Sequence, residues 1–498
     1  GEGEAEEPDT AVKNLWLIPT GASHRWTDAT GSWSKEKWHR GDVTEQITDG
    51  NATDSDSASP NPSNPNTSPT ARVESTGGVT LTIDDPATST ASLPATNTTE
   101  FWGVYGLILT GDTGGDITLA QGGTIALSGA TATGNLYGID VGTSFWKLGA
   151  GTATIDALLR LYGNDSTFTV SGGNLTLHRP IFLARDEGGQ EDMQLRNPFE
   201  IGSGATLTLD FALPEDETDR NALCAYYQDR GFSAPTEMGS VLPEQAQLLE
   251  GSLTGSGTLR VQGEGTSVRL GSINEVGTTA DSGVNFSVGT GTTLTLAGAL
   301  SGGGAAERTA TVEAGAIFDL QRETALGSAD WTFNLAAGTA DDTTGTPAGA
   351  IVRTDNDVRL RGTVNVTGTG SATLGSGDLA IDDSLTVDVP AGATLTLAAA
   401  NVMTPSGASD DAVFTKTGAG VLDVTSGNFE LGLPVSIEEG TLRLSVRSNP
   451  SPSDDRTIDW NVREGGTLAF AGTAGVFNLE SYGSLTVEAG GSLALTGG

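Results

Sequence analysis

Cysteine, histidine and lysine are scarce in this chain of 498 residues, which has one Cys, three His and five Lys. The lone Cys224 closes no intramolecular disulfide, but a large stacked β core needs no such staple, so secretion remains open. So few thiols and imidazoles argue against a zinc site. Basic residues are few as well: 25 Lys plus Arg stand against 63 Asp plus Glu, a net charge of −38. Nucleic acid and anionic membrane repel such a chain, and neither is expected as a partner. The acids read as solvated turn residues that keep exposed β edges soluble. No apolar run approaches the roughly 18 residues of a membrane-spanning helix. The opening GEGEAEEP carries no secretory-leader pattern and reads as a processed or cut N-terminus.

Glycine, by contrast, is plentiful, at 70 residues, about twice the usual share. It opens a recurring phrase in which apolar residues alternate with Thr or Ser. Copies are GVTLTI from Gly78, GATLTLD from Gly204, GTLRVQG from Gly257, GTTLTLAG from Gly291, GATLTL from Gly392, GTLRL from Gly440, GTLAF from Gly466 and GSLAL from Gly491. Alternation of this kind puts Leu and Val on one face of a strand and Thr on the other. One such strand is unstable alone, and many at intervals of roughly 20 to 30 residues predict stacked rungs that bury their apolar sides against one another. The main body is therefore expected to be all-β. SLTVDVPAGATLTL, from Ser384, and SLTVEAGGSLAL, from Ser484, each hold two strands joined by a turn too short for anything but a corner. Some 15 rungs would make a rod of roughly 70 Å.

Composition divides the chain into zones. Residues 1–50 hold Trp16, Trp26, Trp33 and Trp38, half of the eight tryptophans, and read as a small N-terminal cap module. Residues 51–70, NATDSDSASPNPSNPNTSPT, have almost nothing to bury and read as a linker or loop. The strand phrases occupy 71–498, with irregular inserts near 185–198 and 211–250. Within the second, ETDRNALCAYYQDRG predicts one short helix, with Thr218 as N-cap, Leu223, Tyr226 and Tyr227 on one face and Gly231 as stop.

Two segments carry a more specific pattern. FTKTGAGVLDVTSGNFELGLPVSIEEGTLRL, from Phe414, and FWKLGAGTATIDALLRLYGNDSTFTVSGGNLTL, from Phe145, each place a lysine two residues before a Gly-x-Gly. Lys147 and Lys416 are the only lysines beyond residue 37, and each is followed at similar spacing by the corner glycine of a later strand, Gly173 and Gly440. Both segments resemble the autotransporter-associated β-strand repeat of bacterial secreted passengers, and RWTDATGSWSKEKW, from Arg25, is similar to the tryptophan-spaced opening of such chains. The resemblance implies a right-handed parallel β-helix exported across the outer membrane to the cell surface or medium, with a translocator barrel or further repeats beyond residue 498.

Catalytic patterns are weaker. GDTGG at Gly111–Gly115 is similar to the nucleophile segment of chymotrypsin-like proteases, but Thr113 stands where serine is required, and a turn before ITLA is the ordinary reading. The subtilisin constellation is missing too. Asp84/Asp85, Asp341/Asp342, Asp382/Asp383 and Asp454/Asp455 offer the paired carboxylates that polysaccharide-cleaving β-helices need, although the Gly-His-Gly and Arg-Ile-Lys segments that accompany them are not there. Asp54-Ser55-Asp56 and Asp355-Asn356-Asp357 have calcium-like spacing without the rest of a loop motif, and neither a metal nor a cofactor is expected. Trp26, Trp33 and Trp38 form a candidate aromatic face for sugar rings, with capping of the first rung as the competing role. Two functions stay open. One is a non-enzymatic β-helical stalk for adhesion to glycans, mucin or cells. The alternative is a polysaccharide-active hydrolase or lyase with a groove beside the inserts.

Overall fold

The computed structural model describes residues 70–85, 101–184 (except 130 and 163–165), 194–229, 246–271, 283–300, 307–339, 349–354, 358–471 (except 406, 426, 446 and 449–457) and 483–496. It also describes three short segments, 24–27, 31–32 and 39–40. The chain is a parallel β-helix. Its strands stack into a 16-stranded sheet, a 12-stranded sheet, a 10-stranded sheet and a 5-stranded sheet, with one separate antiparallel hairpin. At about 4.8 Å between strands, the longest sheet extends over roughly 70 Å.

The alternating phrase produces the rungs directly. In the longest sheet Leu119, Ile155, Leu177, Leu209, Val261 and Val288 follow one another in register, all buried. Each removes its neighbour's apolar face from water, worth about 1.5–3 kcal/mol per large side chain. Aromatic side chains stack the same way: Phe145 lies over Phe168 with ring centroids 4.4 Å apart, and Phe199 continues the column.

Toward the C-terminus each rung has three sides. Leu385–Asp388 lies in the longest sheet, Ala393–Leu397 in the 12-stranded sheet and Asn401–Met403 in the 5-stranded one, and the next rung repeats the order with Phe414–Thr417, Val421–Val424 and Asn428–Glu430. The expected two-strand corners therefore occur, with a third short side that the sequence phrase does not mark. Corner glycines adopt the left-handed region, as at Gly418 (φ +72°) and Gly440 (φ +67°).

Both irregular stretches contain pieces of the stack. Gln194–Leu195 and Ala246–Leu249 pair with each other as parallel strands of the 12-stranded sheet. Alternation does not reveal the second, because all four of its side chains are buried. Gln247 is tolerated inside because its amide receives the Ile181 backbone N–H (2.7 Å) and donates to the Ile181 carbonyl (3.2 Å).

The predicted helix forms, over Glu217–Asp229, and buries Leu223, Tyr226 and Tyr227. Its cap differs from the expectation. Asp216, not Thr218, accepts the backbone N–H groups of Thr218 (2.8 Å) and Asp219 (3.1 Å). A carboxylate there satisfies two orphan donors and faces the positive end of the helix, so it wins over the hydroxyl two residues on. Gly231 lies outside the described residues.

Candidate functional site

Of the tryptophans proposed for sugar stacking, Trp26 lies in the strand His24–Thr27, in parallel register with Val73 of the first described rung. Trp33 and Trp38 lie outside the described residues, as do Asp341/Asp342, Asp454/Asp455, Asp54-Ser55-Asp56 and Asp355-Asn356-Asp357. GDTGG forms the turn between strands Phe101–Gly111 and Ile117–Gln121, where the Gly115 N–H donates to the Asp112 carbonyl at 2.7 Å. A Cβ on Gly115 would meet the Ser75 carbonyl oxygen at 2.2 Å, so glycine is required there for packing. Asp382 is buried in ion pairs with Arg361 (2.7 Å) and Arg359 (3.6 Å), while Asp383 accepts the Ser384 N–H.

The two lysine-marked segments build the same corner. Lys416 occupies an inward position between Val387 and Ile437, and Lys147 an inward position between Leu109 and Val170. Both are fully buried. The Lys416 ammonium donates to the carbonyls of Thr417 (2.5 Å), Gly418 (2.6 Å) and Glu439 (3.2 Å). Lys147 donates to the equivalent three, Leu148 (2.9 Å), Gly149 (3.1 Å) and Gly172 (3.1 Å). In each case the third carbonyl precedes the corner glycine of a later strand, Gly440 or Gly173. The Lys-x-Gly-x-Gly spacing is thus an ammonium clamp that joins two rungs at a corner. Burial lowers both lysines to a pKa of about 8, against the opposing pull of Asp116 on Lys147 and of Asp388 and Glu439 on Lys416.

A lateral module stands on the N-terminal half. The antiparallel hairpin Thr124–Ser128/Thr131–Asn135 and the helix pack together in a second hydrophobic cluster of Phe101, Leu136, Phe182, Leu223, Tyr226 and Tyr227. The two pieces come from excursions far apart in sequence. The hairpin itself has a sequence signal distinct from the glycine-led phrase, two alternating runs around Gly129 at φ +69°. Beneath the module Arg160 pairs with Asp140 and lies 3.9 Å from the Phe101 ring centroid. Desolvation raises the Asp140 pKa in spite of that partner.

At the root of the inserts a polar ladder runs along the rungs. Asp156, His178, Asp210 and Gln262 follow the register set by Ile155, Leu177, Leu209 and Val261. His178 Nδ1 is 2.5 Å from Asp156 Oδ1, its Nε2 is 4.0 Å from Asp210 Oδ2, and Gln262 donates to Asp210 at 2.7 Å. The hydrogen bond to Asp156 raises the His178 pKa, with the charges of Asp156 and Asp210 adding to it and burial and Arg179 opposing. An imidazole held by one carboxylate and facing a second is placed to take up and release a proton.

The outer face of the longest sheet is a second feature. One column begins with Thr152, Asn174, Thr206 and Thr258, passes through Thr309, Thr332, Thr363 and Thr386, and ends with Thr415, Ser436, Asn461 and Thr486. Asn285 bridges its two halves, its Oδ1 accepting the Thr309 N–H at 2.8 Å. No member is charged. The columns on either side of it carry charge, at Arg260, Asp388 and Asp459 of the same sheet, as does the outer face of the 12-stranded sheet at Arg269, Asp319, Arg353, Asp423 and Arg443. Beside the neutral column opens a cleft of about 540 Å³ lined by Glu307, Asp330, Thr332, Arg361, Thr363 and Asp383, among others. The cleft lies several rungs from the inserts, not beside them.

Among the described residues no three His, Cys, Asp or Glu gather as a metal site, and no helix is long and apolar enough to cross a membrane. No protein-family model, curated protein or solved structure matches this chain.

Proposed function

We propose that this protein is a secreted or surface-displayed passenger of the autotransporter type, a β-helical stalk that holds a lateral module away from the cell for adhesion. The observation that carries the reading is the module itself. A repeat stack needs no helix and no antiparallel hairpin for its own stability, yet two distant excursions meet here in a separate core on the side of the rod. The repeated lysine corner supports the repeat class, and the acidic charge suits a chain that stays soluble when displayed. A glycan array and a cell-binding assay with the purified chain test this. Cell binding that falls when the module is unseated by Leu223→Asp, with the stack still folded by circular dichroism, is the expected result; equal cell binding by that variant refutes it.

The Asp156–His178–Asp210 ladder favours a second reading, a polysaccharide-active enzyme with its proton-transfer groups at the foot of the inserts. Release of reducing ends from a polysaccharide panel, lost in His178→Ala and Asp156→Asn, is its test.

A further inference from the structure

We propose that the neutral outer column of the longest sheet, together with the cleft beside it, is a binding face for an extended, uncharged polysaccharide lying along the rod. The assignment rests on the adhesive reading and gives it a ligand class and a place apart from the lateral module.

Three properties of the face select the ligand. The first is repetition. Thr309, Thr332, Thr363 and Thr386 stand on successive strands in direct register, so the same hydroxyl recurs about every 4.8 Å along the rod. A globular protein partner that is not itself a stacked repeat presents no translational repeat of one rung, whereas a linear polymer of identical sugars presents its hydroxyls periodically. Weak contacts repeated along both partners then add as linked binding events. The second property is neutrality. In a chain of net charge −38 this column carries no acid and no base from end to end, although the columns beside it on the same sheet hold Arg260, Asp388 and Asp459. Polyanions such as uronate polymers or nucleic acid would need Lys or Arg there and would meet long-range repulsion.

The third property is the chemistry of the groups. Thr and Ser hydroxyls and Asn amides both donate and accept, as sugar hydroxyls do. The cleft adds strong acceptors next to the column: Glu307, whose Oε1 already takes the Thr332 hydroxyl at 2.6 Å, with Asp330 and Asp383. Arg361, anchored by Asp382, supplies a donor on the same wall. Carboxylates flanked by a guanidinium are suited to the vicinal hydroxyls of a neutral sugar, and the cleft shares Thr332 and Thr363 with the column.

The test uses the full chain and insoluble or soluble neutral polysaccharides, cellulose, chitin and mixed-linkage β-glucan, in pelleting and affinity electrophoresis. Wild type is expected to be retained by at least one of them. The isosteric triple variant Thr309→Val/Thr363→Val/Thr386→Val keeps β propensity and removes three hydroxyls, and should weaken retention at least about tenfold. Thr396→Val, on the outer face of the 12-stranded sheet, should leave it unchanged. Matching circular dichroism and melting curves establish that the triple variant folds; if it does not, Thr363→Ser, expected to retain binding, and Thr363→Val, expected to weaken it, are compared instead. No retention on any neutral polysaccharide, equal loss with Thr396→Val, or partition of the protein into growing ice crystals instead of onto glycans overturns the proposal. Cell adhesion that survives in the triple variant and fails in Leu223→Asp, with no polysaccharide retention, leaves the adhesive reading standing and removes only this face from it.

Discussion

Gly440→Ala measures how tightly the lysine corner is built. Gly440 has φ +67°, a region that costs an L-residue roughly 1–2 kcal/mol. A Cβ there would sit 2.3 Å from the Gly418 carbonyl oxygen and 2.5 Å from that of Gly420, so the preceding corner must shift. The Gly418 oxygen is also held by the Lys416 ammonium at 2.6 Å, which resists that shift. Overpacking of this kind costs about 1–3 kcal/mol more, for a total of about 2–5 kcal/mol. Gly392→Ala is the internal control. Its φ is +80°, but the nearest atom to its Cβ would be Thr369 Cγ2 at 3.5 Å, an ordinary contact, so only the backbone cost of about 1–2 kcal/mol applies. Because a stack opens locally, the readout is hydrogen exchange of the amides of 414–444 alongside the denaturant midpoint. Gly440→Ala should lose protection across those rungs by more than Gly392→Ala does across its own. Equal losses in the two variants, or an unaffected 414–444 segment, would refute the clamp.

Other outcomes follow from the paired and buried charges. Arg160→Met strands the Asp140 carboxylate among buried side chains and should cost about 3–5 kcal/mol, seen as an early unfolding step that releases the lateral module; an unchanged melt argues against the pair. His178 has a raised pKa in the folded chain, so its contribution to stability is complete below the ordinary value near 6.5 and is lost as pH rises through the raised one. Melting temperatures between pH 5.5 and 8.5 should show that decline, and His178→Gln should flatten it. Lys147 and Lys416 behave oppositely: with folded values of about 8 and unfolded values near ~10.4, the unfolded chain binds more protons across that window, so stability should rise with pH there. The rise should disappear in Lys147→Met/Lys416→Met; a rise of the same size in that variant would assign it to other groups.

The strand phrases, their stacking into rungs, the corners and the helix face were legible in the sequence because each depends on local period. Alternation marks a strand with one buried side, and Leu223, Tyr226 and Tyr227 mark a helix with one buried stripe. The lysine spacing was legible as a pattern but not as a clamp. Its third acceptor, Glu439 or Gly172, comes from a later strand, and only the rung-to-rung stack brings it within reach. Ala246–Leu249 escaped because a strand covered on both faces loses alternation, and Gln194–Leu195 because two residues are too few to show a period. Asp216 escaped as the cap because sequence offers two capping side chains two residues apart, and the hydrogen-bond geometry chooses between them.

By itself, then, the sequence determined that this chain is a stack of glycine-cornered strands, since period and turn chemistry act over a few residues. Tertiary structure alone decided which outward residues share a column, which excursions join in the lateral core and which acids surround His178. Those are relations between rungs more than 20 residues apart, set by register, and register is fixed only when the inward columns close against one another.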